Sequence, residues 1–99
     1  MVVTVVAAHV AEERGSEFRH SFAGATADLP PGIVQTFLLH VPESHEWRIL
    51  TIWRSREELE AYRAAVEVPE AIRMFRAVGS EPVMGEFDVV EQAAETAGA

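Results

Sequence analysis

The sequence predicts an α+β fold in which four strands and two helical segments follow the order βαββαβ. Three observations predict it: four runs rich in β-branched and aromatic residues, a helical spacing of apolar residues between the first two runs, and a second helical segment before the last. One small sheet with this order is ferredoxin-like, with antiparallel strands in the spatial order 4-1-3-2 and the helices on one face. The 99 residues, 48% of them apolar, suffice for a single packed domain.

The first strand is predicted over residues 2–10, a β-branched and alanine-rich run that is poor in helix formers. Gly15 and Ser16 interrupt this run, and Ser16 is a good N-cap for the first helix. Four apolar residues then recur at helical spacing, namely Phe18, Phe22, Ala25 and Leu29. The helix is predicted to end at the Pro-Pro-Gly segment 30–32, because proline lacks an amide hydrogen.

Two further strands are predicted over residues 33–41 and 46–54, and their short connection makes them an antiparallel hairpin. The next residues have the pattern of a capping box, in which Ser55 accepts from the Glu58 amide and the Glu58 carboxylate reaches back to the Ser55 amide. This pattern predicts the start of the second helical segment.

Pro69 is expected to divide the second helical segment into two parts, since proline breaks or restarts a helix. The fourth strand is predicted over residues 82–91. The domain is therefore expected to span residues 1–92, and residues 93–99 form a small-residue tail that we expect to be flexible.

Both faces of the predicted sheet carry apolar side chains. In the second strand, Val34 and Leu38 point to one face, against Ile33, Phe37, Leu39 and Val41 on the other. In the third strand, Trp47, Ile49 and Trp53 oppose Leu50 and Ile52. A chain of this length has no second layer of helices, so the open face is predicted to pack on the same face of a second subunit as a symmetric dimer. The alternative is a monomer whose open face is kept wet by Gln35, Arg48, Arg54, Glu86 and Asp88.

Charge and composition exclude several classes of partner and site. Asp and Glu number 16 against 8 Lys and Arg, a formal charge of −8, so a nucleic acid partner is not expected. The absence of cysteine excludes a disulfide framework, a thiolate nucleophile and an iron–sulfur cluster. No apolar run is long enough to cross a membrane and the N-terminus lacks a signal-peptide pattern, so we expect a cytoplasmic protein without membrane contact.

Three segments of the chain resemble a known family. They are Gly15-Ser16-Glu17-Phe18 at the first helix, Pro31-Gly32-Ile33 before the second strand, and Trp53-Arg54-Ser55-Arg56-Glu57-Glu58-Leu59-Glu60-Ala61-Tyr62. Together with the βαββαβ order, they are similar to the antibiotic biosynthesis monooxygenase family over about residues 2–91. The resemblance implies a dimeric α+β barrel with a pocket between the sheet and helices of each subunit. It also implies one of two oxygenase chemistries: cofactor-free oxidation of phenolic polyketides, anthrones or quinols by O₂, or oxidative opening of haem.

The resemblance favours the cofactor-free chemistry. Haem-degrading members use an iron-ligating histidine on the second helix and an asparagine on the first strand. This chain contains no asparagine, and its histidines, His9, His20, His40 and His45, all precede the second helical segment. We therefore expect no bound cofactor.

The resemblance also implies candidate catalytic residues. Polyketide oxygenases of the family have a tryptophan at the end of the third strand, a tyrosine and an arginine nearby, and an asparagine that binds substrate carbonyls. Trp53 matches the first position, and Tyr62 and Arg73 occupy the next two by order along the chain. Each has a structural alternative: core packing for Trp53 and Tyr62, and a solvated helix face for Arg73. The pocket is expected to be lined by Trp53, Tyr62, Leu59, Ile72 and Phe75.

Three histidines are predicted to gather at one end of the sheet. His9 ends the first strand, His40 ends the second, and His45 precedes the third. They could bind a metal ion, or His9 could act as a general base. Because the third strand separates the other two and no His-x-His spacing occurs, we expect no metal site.

These residues lead to one functional hypothesis and two alternatives. The hypothesis is a cofactor-independent monooxygenase acting with O₂ on an aromatic, quinol or polyketide-like small molecule. One alternative is a non-catalytic dimeric barrel that binds a small hydrophobic ligand, which the missing asparagine favours. The other is an isomerase or lyase that uses the same pocket and needs a base but no O₂.

Overall fold

The computed structural model describes residues 1–95 and contains one four-stranded sheet. Its strands are β1 (Val2–His9), β2 (Ile33–His40), β3 (Glu46–Trp53) and β4 (Val83–Asp88). The strand order is β2-β3-β1-β4 and every neighbouring pair is antiparallel. This is the predicted order 4-1-3-2 read from the opposite edge, so the ferredoxin-like α+β fold is confirmed.

Three helices pack on one face of the sheet. They are α1 (Gly15–Ala25), which follows a short 3-10 turn at Glu12–Arg14, then α2 (Arg56–Ala65) and α3 (Glu70–Ala77). Pro69 is the residue before α3, which confirms that the second helical segment is divided there. No helix among the described residues is both long enough and apolar enough to cross a membrane.

The core lies between the helices and the sheet. Phe18 of α1 and Phe75 of α3 are fully buried, and their ring centroids are 4.6 Å apart. They pack with Val6 of β1 and Ile49 of β3 in one cluster. Burial of a phenylalanine side chain contributes about 1.5 to 3 kcal/mol, so this cluster fixes α1 and α3 against the sheet.

The boundaries of α1 differ from the prediction. The 3-10 turn leads directly into the helix at Gly15, so Ser16 lies inside α1 and is not its N-cap. The helix ends at Ala25, where the Thr26 hydroxyl donates a 2.7 Å hydrogen bond to the Phe22 carbonyl. Leu29 therefore lies in the loop that follows α1.

The capping box forms only in part. The Ser55 hydroxyl accepts a 3.2 Å hydrogen bond from the Glu58 amide, as predicted. The Glu58 carboxylate does not return to the Ser55 amide, because it accepts from the Arg54 guanidinium at 2.9 Å instead. One half of the motif is sufficient to start α2.

A register shift in β2 changes one predicted face. The pairing of β2 with β3 is irregular between Ile33 and Gln35, so Ile33 packs on the helix side with Trp53 and Tyr62. In β4, Glu86 and Asp88 pair with Thr4 and Val2, which places them on the helix side as well. The monomer alternative, in which these two carboxylates keep the open face wet, was therefore wrong about Glu86 and Asp88.

Outside the sheet, residues 89–95 have no regular secondary structure. Residues 96–99 of the predicted tail lie outside the described residues.

Candidate functional site

A cavity of about 320 Å³ lies between the helix-side face of the sheet and the helices. Its floor comes from the middle of β1, β2 and β3, including Thr4, Thr36 and Thr51. One wall comes from the end of α1 and the loop after it, and the other from α2, α3 and the linker between them. This volume is at the lower end of the range for small-molecule sites, so a small, compact ligand suits it.

Trp53 and Tyr62 form the aromatic part of the wall. Trp53 ends β3, Tyr62 lies on α2, and their ring centroids are 5.1 Å apart with an interplanar angle of 43°. Trp53 is only 4% exposed, and its indole N–H donates a 3.1 Å hydrogen bond to the Thr4 hydroxyl. The polar atom of the tryptophan is therefore held by β1, so its contribution to the cavity wall is apolar.

Three threonine hydroxyls line the floor in one row. Thr36, Thr51 and Thr4 are direct register partners on β2, β3 and β1, so their side chains share the cavity face. The hydroxyls of Thr36 and Thr51 are 2.9 Å apart, and Thr36 also donates to the Leu50 carbonyl at 3.2 Å. The floor is thus polar in an otherwise largely apolar site.

Two carboxylates belong to residues that line the cavity. Glu70, at the start of α3, forms a 3.2 Å ion pair with Arg73. Asp28 lies in the exposed loop after α1 and takes part in no ion pair among residues 1–95. Asp28 is therefore an exposed carboxylate that lines the cavity without an ion-pair partner among these residues.

The structure brings together two of the four predicted catalytic residues, Trp53 and Tyr62. Arg73 is exposed on α3, where its neighbours in a separate surface cleft include Val68 and Arg76. Three predicted lining residues are not among those that line the cavity: Leu59 is clustered with Trp53 and Val2, Phe75 is in the main core cluster, and Ile72 packs against it. Arg73 does not line the cavity, and its catalytic role stays a prediction.

The histidines share one end of the sheet but not one face. His9 pairs with Glu46, whereas His40 pairs with Trp47, and adjacent residues of β3 point to opposite sides. His9 lines a cleft on the open face, and the ring of His40 lies 4.6 Å from that of Trp47 on the helix side. Within residues 1–95, no group of three His, Asp or Glu side chains could hold a metal ion. His9 does not line the cavity between the sheet and the helices, so its role as a general base stays a prediction that would apply to a different site.

The cavity does not fit haem ligation by an imidazole. Neither α2 nor α3 contains a histidine, and none of the cavity-lining residues is histidine or cysteine. The residues present favour an organic ligand held by aromatic and hydroxyl groups.

An ionic network joins α2 to β4 beside the cavity. Glu86 accepts hydrogen bonds from Arg56 and, at 2.7 Å, from Arg63, and Arg56 also donates to Asp88 at 2.5 Å. Hydrogen bonds from Arg56 and then Arg63 hold the pKa of Glu86 below its ordinary value. The network fixes the edge strand against the helix that carries Tyr62.

The fold and the cavity define a ferredoxin-like α+β protein with a pocket between its sheet and its helices. The family model of the antibiotic biosynthesis monooxygenases matches residues 1–74, so the chain belongs to that family. This confirms the resemblance seen in the sequence. No curated protein matches the chain significantly in sequence.

Solved structures share the fold over nearly the whole chain. SnoaB, a cofactor-independent oxygenase from Streptomyces nogalater, is similar with a TM-score of 0.75 and 23% identity, covering 95% of this chain and 97% of its own. MhuD, a heme-degrader from Mycobacterium tuberculosis, is similar with a TM-score of 0.70 and 24% identity, covering 95% of this chain and 100% of its own. At these identities the likeness establishes the fold.

Sequence reasoning missed the threonine row and Asp28. Threonine at positions 4, 36 and 51 is typical of strands and carries no separate signal of a site. The row arises only from the register of three strands that are distant along the chain. Asp28 lay inside the predicted first helix, which in fact ends at Ala25, so the sequence did not indicate its position in a loop.

Proposed function

We propose that the protein is a cofactor-independent monooxygenase that uses O₂ to oxidise an aromatic, quinol or polyketide-like small molecule. The observation that carries this proposal is a cavity lined by the aromatic rings of Trp53 and Tyr62 and by three threonine hydroxyls of the sheet. Membership of the family supports the reaction class. The likeness to SnoaB, itself a cofactor-independent oxygenase, points in the same direction.

Oxidation without a metal or flavin requires the substrate to supply the electrons. In an anthrone-like substrate, a base removes a proton from the activated CH₂ group, and the carbanion gives its electrons to O₂. The resulting hydroperoxide loses water and leaves a carbonyl, so the balance is R₂CH₂ + O₂ → R₂C=O + H₂O. The protein has to hold the anion in a dry site and accept one proton.

The cavity residues suit these two tasks. The apolar ring faces of Trp53 and Tyr62 would hold an aromatic substrate and exclude water. Asp28, which lines the cavity, is the carboxylate that would take the proton, because it has no cationic partner within residues 1–95. Arg73 and His9 have no part in this scheme.

We also propose that residues 1–92 act as a symmetric dimer. The open face of the sheet exposes large apolar side chains on both edge strands, with Val83 at 73% and Phe87 at 56% exposure on β4, and Phe37 and Leu39 on β2. Apolar residues of β1 and β3 continue this surface between them. A second copy of the same face is the occupant that matches an apolar patch spanning the sheet.

The test of the oxygenase proposal is oxygen uptake by chelator-treated protein with anthrones, naphthohydroquinones and flavonols. We expect uptake that heat-killed protein does not show and that falls at least about tenfold in Trp53→Leu combined with Tyr62→Leu, because this variant lacks both aromatic ring faces. Trp47→Leu is the matched control, because Trp47 lies on the same strand and face but packs against Phe18 at 5.7 Å, away from the cavity. Trp47→Leu should therefore retain the uptake.

Other outcomes would select the alternatives. Turnover of a substrate without O₂ would identify an isomerase or lyase. Thermal stabilisation by a ligand with no turnover would identify a binding protein, which is consistent with a tryptophan N–H already held by Thr4. Uptake at the spontaneous rate across the whole panel would contradict the oxygenase proposal. A cytoplasmic location and the absence of a nucleic acid partner stay predictions from the sequence.

A further inference from the structure

The hydrogen-bond geometry of the three cavity threonines determines which hydroxyl is the donor in each contact. The Leu50 carbonyl can only accept, so the hydrogen of the Thr36 hydroxyl is used there at 3.2 Å. The 2.9 Å contact between Thr36 and Thr51 then requires Thr51 to be the donor. The hydrogens of Thr36 and Thr51 are both used inside the protein.

Thr4 is different. Its oxygen accepts the indole N–H of Trp53 at 3.1 Å, and no hydrogen bond among residues 1–95 uses its own hydrogen. Thr4 is 6% exposed and lines the cavity, so the cavity is where its hydroxyl hydrogen can meet an acceptor. A buried donor without a partner is unfavourable, and an acceptor atom on a ligand would remove that cost.

We propose that the Thr4 hydroxyl is the hydrogen-bond donor that binds the oxygen of an aromatic ketone, or of its enolate, in this cavity. Trp53 is the positioning residue, since its N–H occupies a lone pair of Thr4 and turns the hydroxyl hydrogen toward the ligand. Donation into Thr4 also polarises the hydroxyl and strengthens the bond it gives. The low-dielectric surroundings, including the buried Ile49 and Met74, increase the value of that bond.

This inference rests on the proposed function, because it assigns the substrate oxygen to the same cavity. It adds the chemical feature by which the ligand is chosen: an oxygen acceptor on an aromatic frame. It also identifies a group that could supply the carbonyl donor in a chain that has no asparagine.

The experiment compares two ligands that share a ring frame, anthrone and 9,10-dihydroanthracene, of which only anthrone carries the carbonyl. Affinities are measured without O₂, so that no turnover occurs. Wild-type protein should bind anthrone at least about fivefold more tightly than the hydrocarbon, the effect of one hydrogen bond. Thr4→Val should abolish this preference and leave the hydrocarbon affinity unchanged, whereas Thr4→Ser should retain it.

A spectroscopic measurement separates binding from packing. The infrared carbonyl band of bound anthrone should lie at lower frequency in wild type and Thr4→Ser than in Thr4→Val. Trp53→Phe keeps a ring but loses the N–H, so its carbonyl band should lie between those of wild type and Thr4→Val. Trp47→Phe should leave the band at the wild-type frequency. If Thr4→Val does not fold, the test is the carbonyl frequency of anthrone bound to Trp53→Phe. A frequency equal to that in wild type would overturn the inference.

The two proposals fail in distinguishable ways. An unchanged ligand preference in folded Thr4→Val, or no binding of anthrone by folded wild-type protein, overturns the role of Thr4. Loss of the preference in Thr4→Val without any oxygen uptake by wild type supports the Thr4 site and contradicts the oxygenase. Oxygen uptake with a preference that Thr4→Val leaves intact supports the oxygenase alone.

Discussion

The Tyr62 hydroxyl accepts a 2.8 Å hydrogen bond from the backbone amide of Glu70, the first residue of α3. The first amides of a helix have no partner within it, and Pro69 before α3 provides no side-chain cap. Tyr62 therefore links α2 to α3 across the linker, while its ring contacts Trp53. The same side chain shapes the aromatic wall and fixes the helix that forms the rest of that wall.

Replacing Tyr62 by phenylalanine should reduce the free energy of unfolding by about 1 kcal/mol, because the Glu70 amide loses its acceptor. For a chain of this size, that corresponds to a fall in Tm of about 4 to 8 °C. The measurement is urea unfolding of both proteins at one protein concentration.

Arg73→Gln is the matched control for Tyr62→Phe. It removes an exposed ion pair with Glu70 from the same helix end, which is worth less than about 0.5 kcal/mol. Equal losses in the two variants would contradict the assignment of the Tyr62 hydroxyl to the helix start.

Gly32 has a conformation that alanine cannot adopt without strain. Its φ is +95°, and a Cβ built on it would lie 2.6 Å from the Cβ of Glu58. Gly32→Ala should therefore destabilise the protein by at least about 2 kcal/mol. Differential scanning calorimetry would measure the loss as a lower Tm.

Gly24→Ala provides the comparison. Gly24 lies inside α1, and a Cβ there meets nothing within 4 Å. This substitution should stabilise the protein by about 0.5 to 1 kcal/mol, because alanine loses less backbone entropy in a helix. A shift of the same sign in both variants would contradict the stated role of the Gly32 backbone.

The sequence was most informative where a signal is local. Ser55 predicted the start of α2 because an N-cap and its partner amide lie within one turn, and Pro69 predicted the division of the helix from its own chemistry. Ser16 misled because the chain enters α1 through a 3-10 turn, at whose end Arg14 pairs with Glu17 and donates to the Ala77 carbonyl.

Features that depend on register were not accessible from the sequence. The irregular pairing near Ile33 reverses the face of that residue, and no residue type in the strand indicates where the irregularity occurs. Thr4, Thr51 and Thr36 become neighbours only when three distant strands are aligned. Trp53 and Tyr62 were found because the family pattern places both close together along the chain.

The ionic network around Glu86 predicts a loss of stability in acid. Its pKa is lowered in the folded protein by Arg56 and Arg63, so the unfolded chain binds this proton more readily. The stabilisation is therefore complete above the ordinary glutamate pKa of about 4.3 and is lost as the pH falls through the lowered value. Glu86→Gln should destabilise the protein at neutral pH and weaken this acid dependence.

The measurement is the urea midpoint of wild type and variant from neutral pH down to about pH 3. Glu67→Gln serves as the control, because Glu67 is exposed and forms no ion pair within residues 1–95. High salt should reduce the difference between wild type and Glu86→Gln, since it screens surface charges. The same acid dependence in Glu86→Gln and wild type would exclude this network as a source of pH sensitivity.

Phe87 tests the proposed dimer, because it is 56% exposed on the open face of an edge strand. In the dimer, Phe87→Asp would place an unpaired carboxylate in a desolvated apolar contact, at a cost of several kcal/mol. Wild type should sediment at twice the 10.9 kDa subunit mass, and Phe87→Asp should sediment at the subunit mass. Val90→Asp is the control, since Val90 is exposed beyond the end of β4. A single-subunit mass for wild type at micromolar concentration would contradict the dimer, and dissociation by Val90→Asp would show that added charge alone separates the subunits.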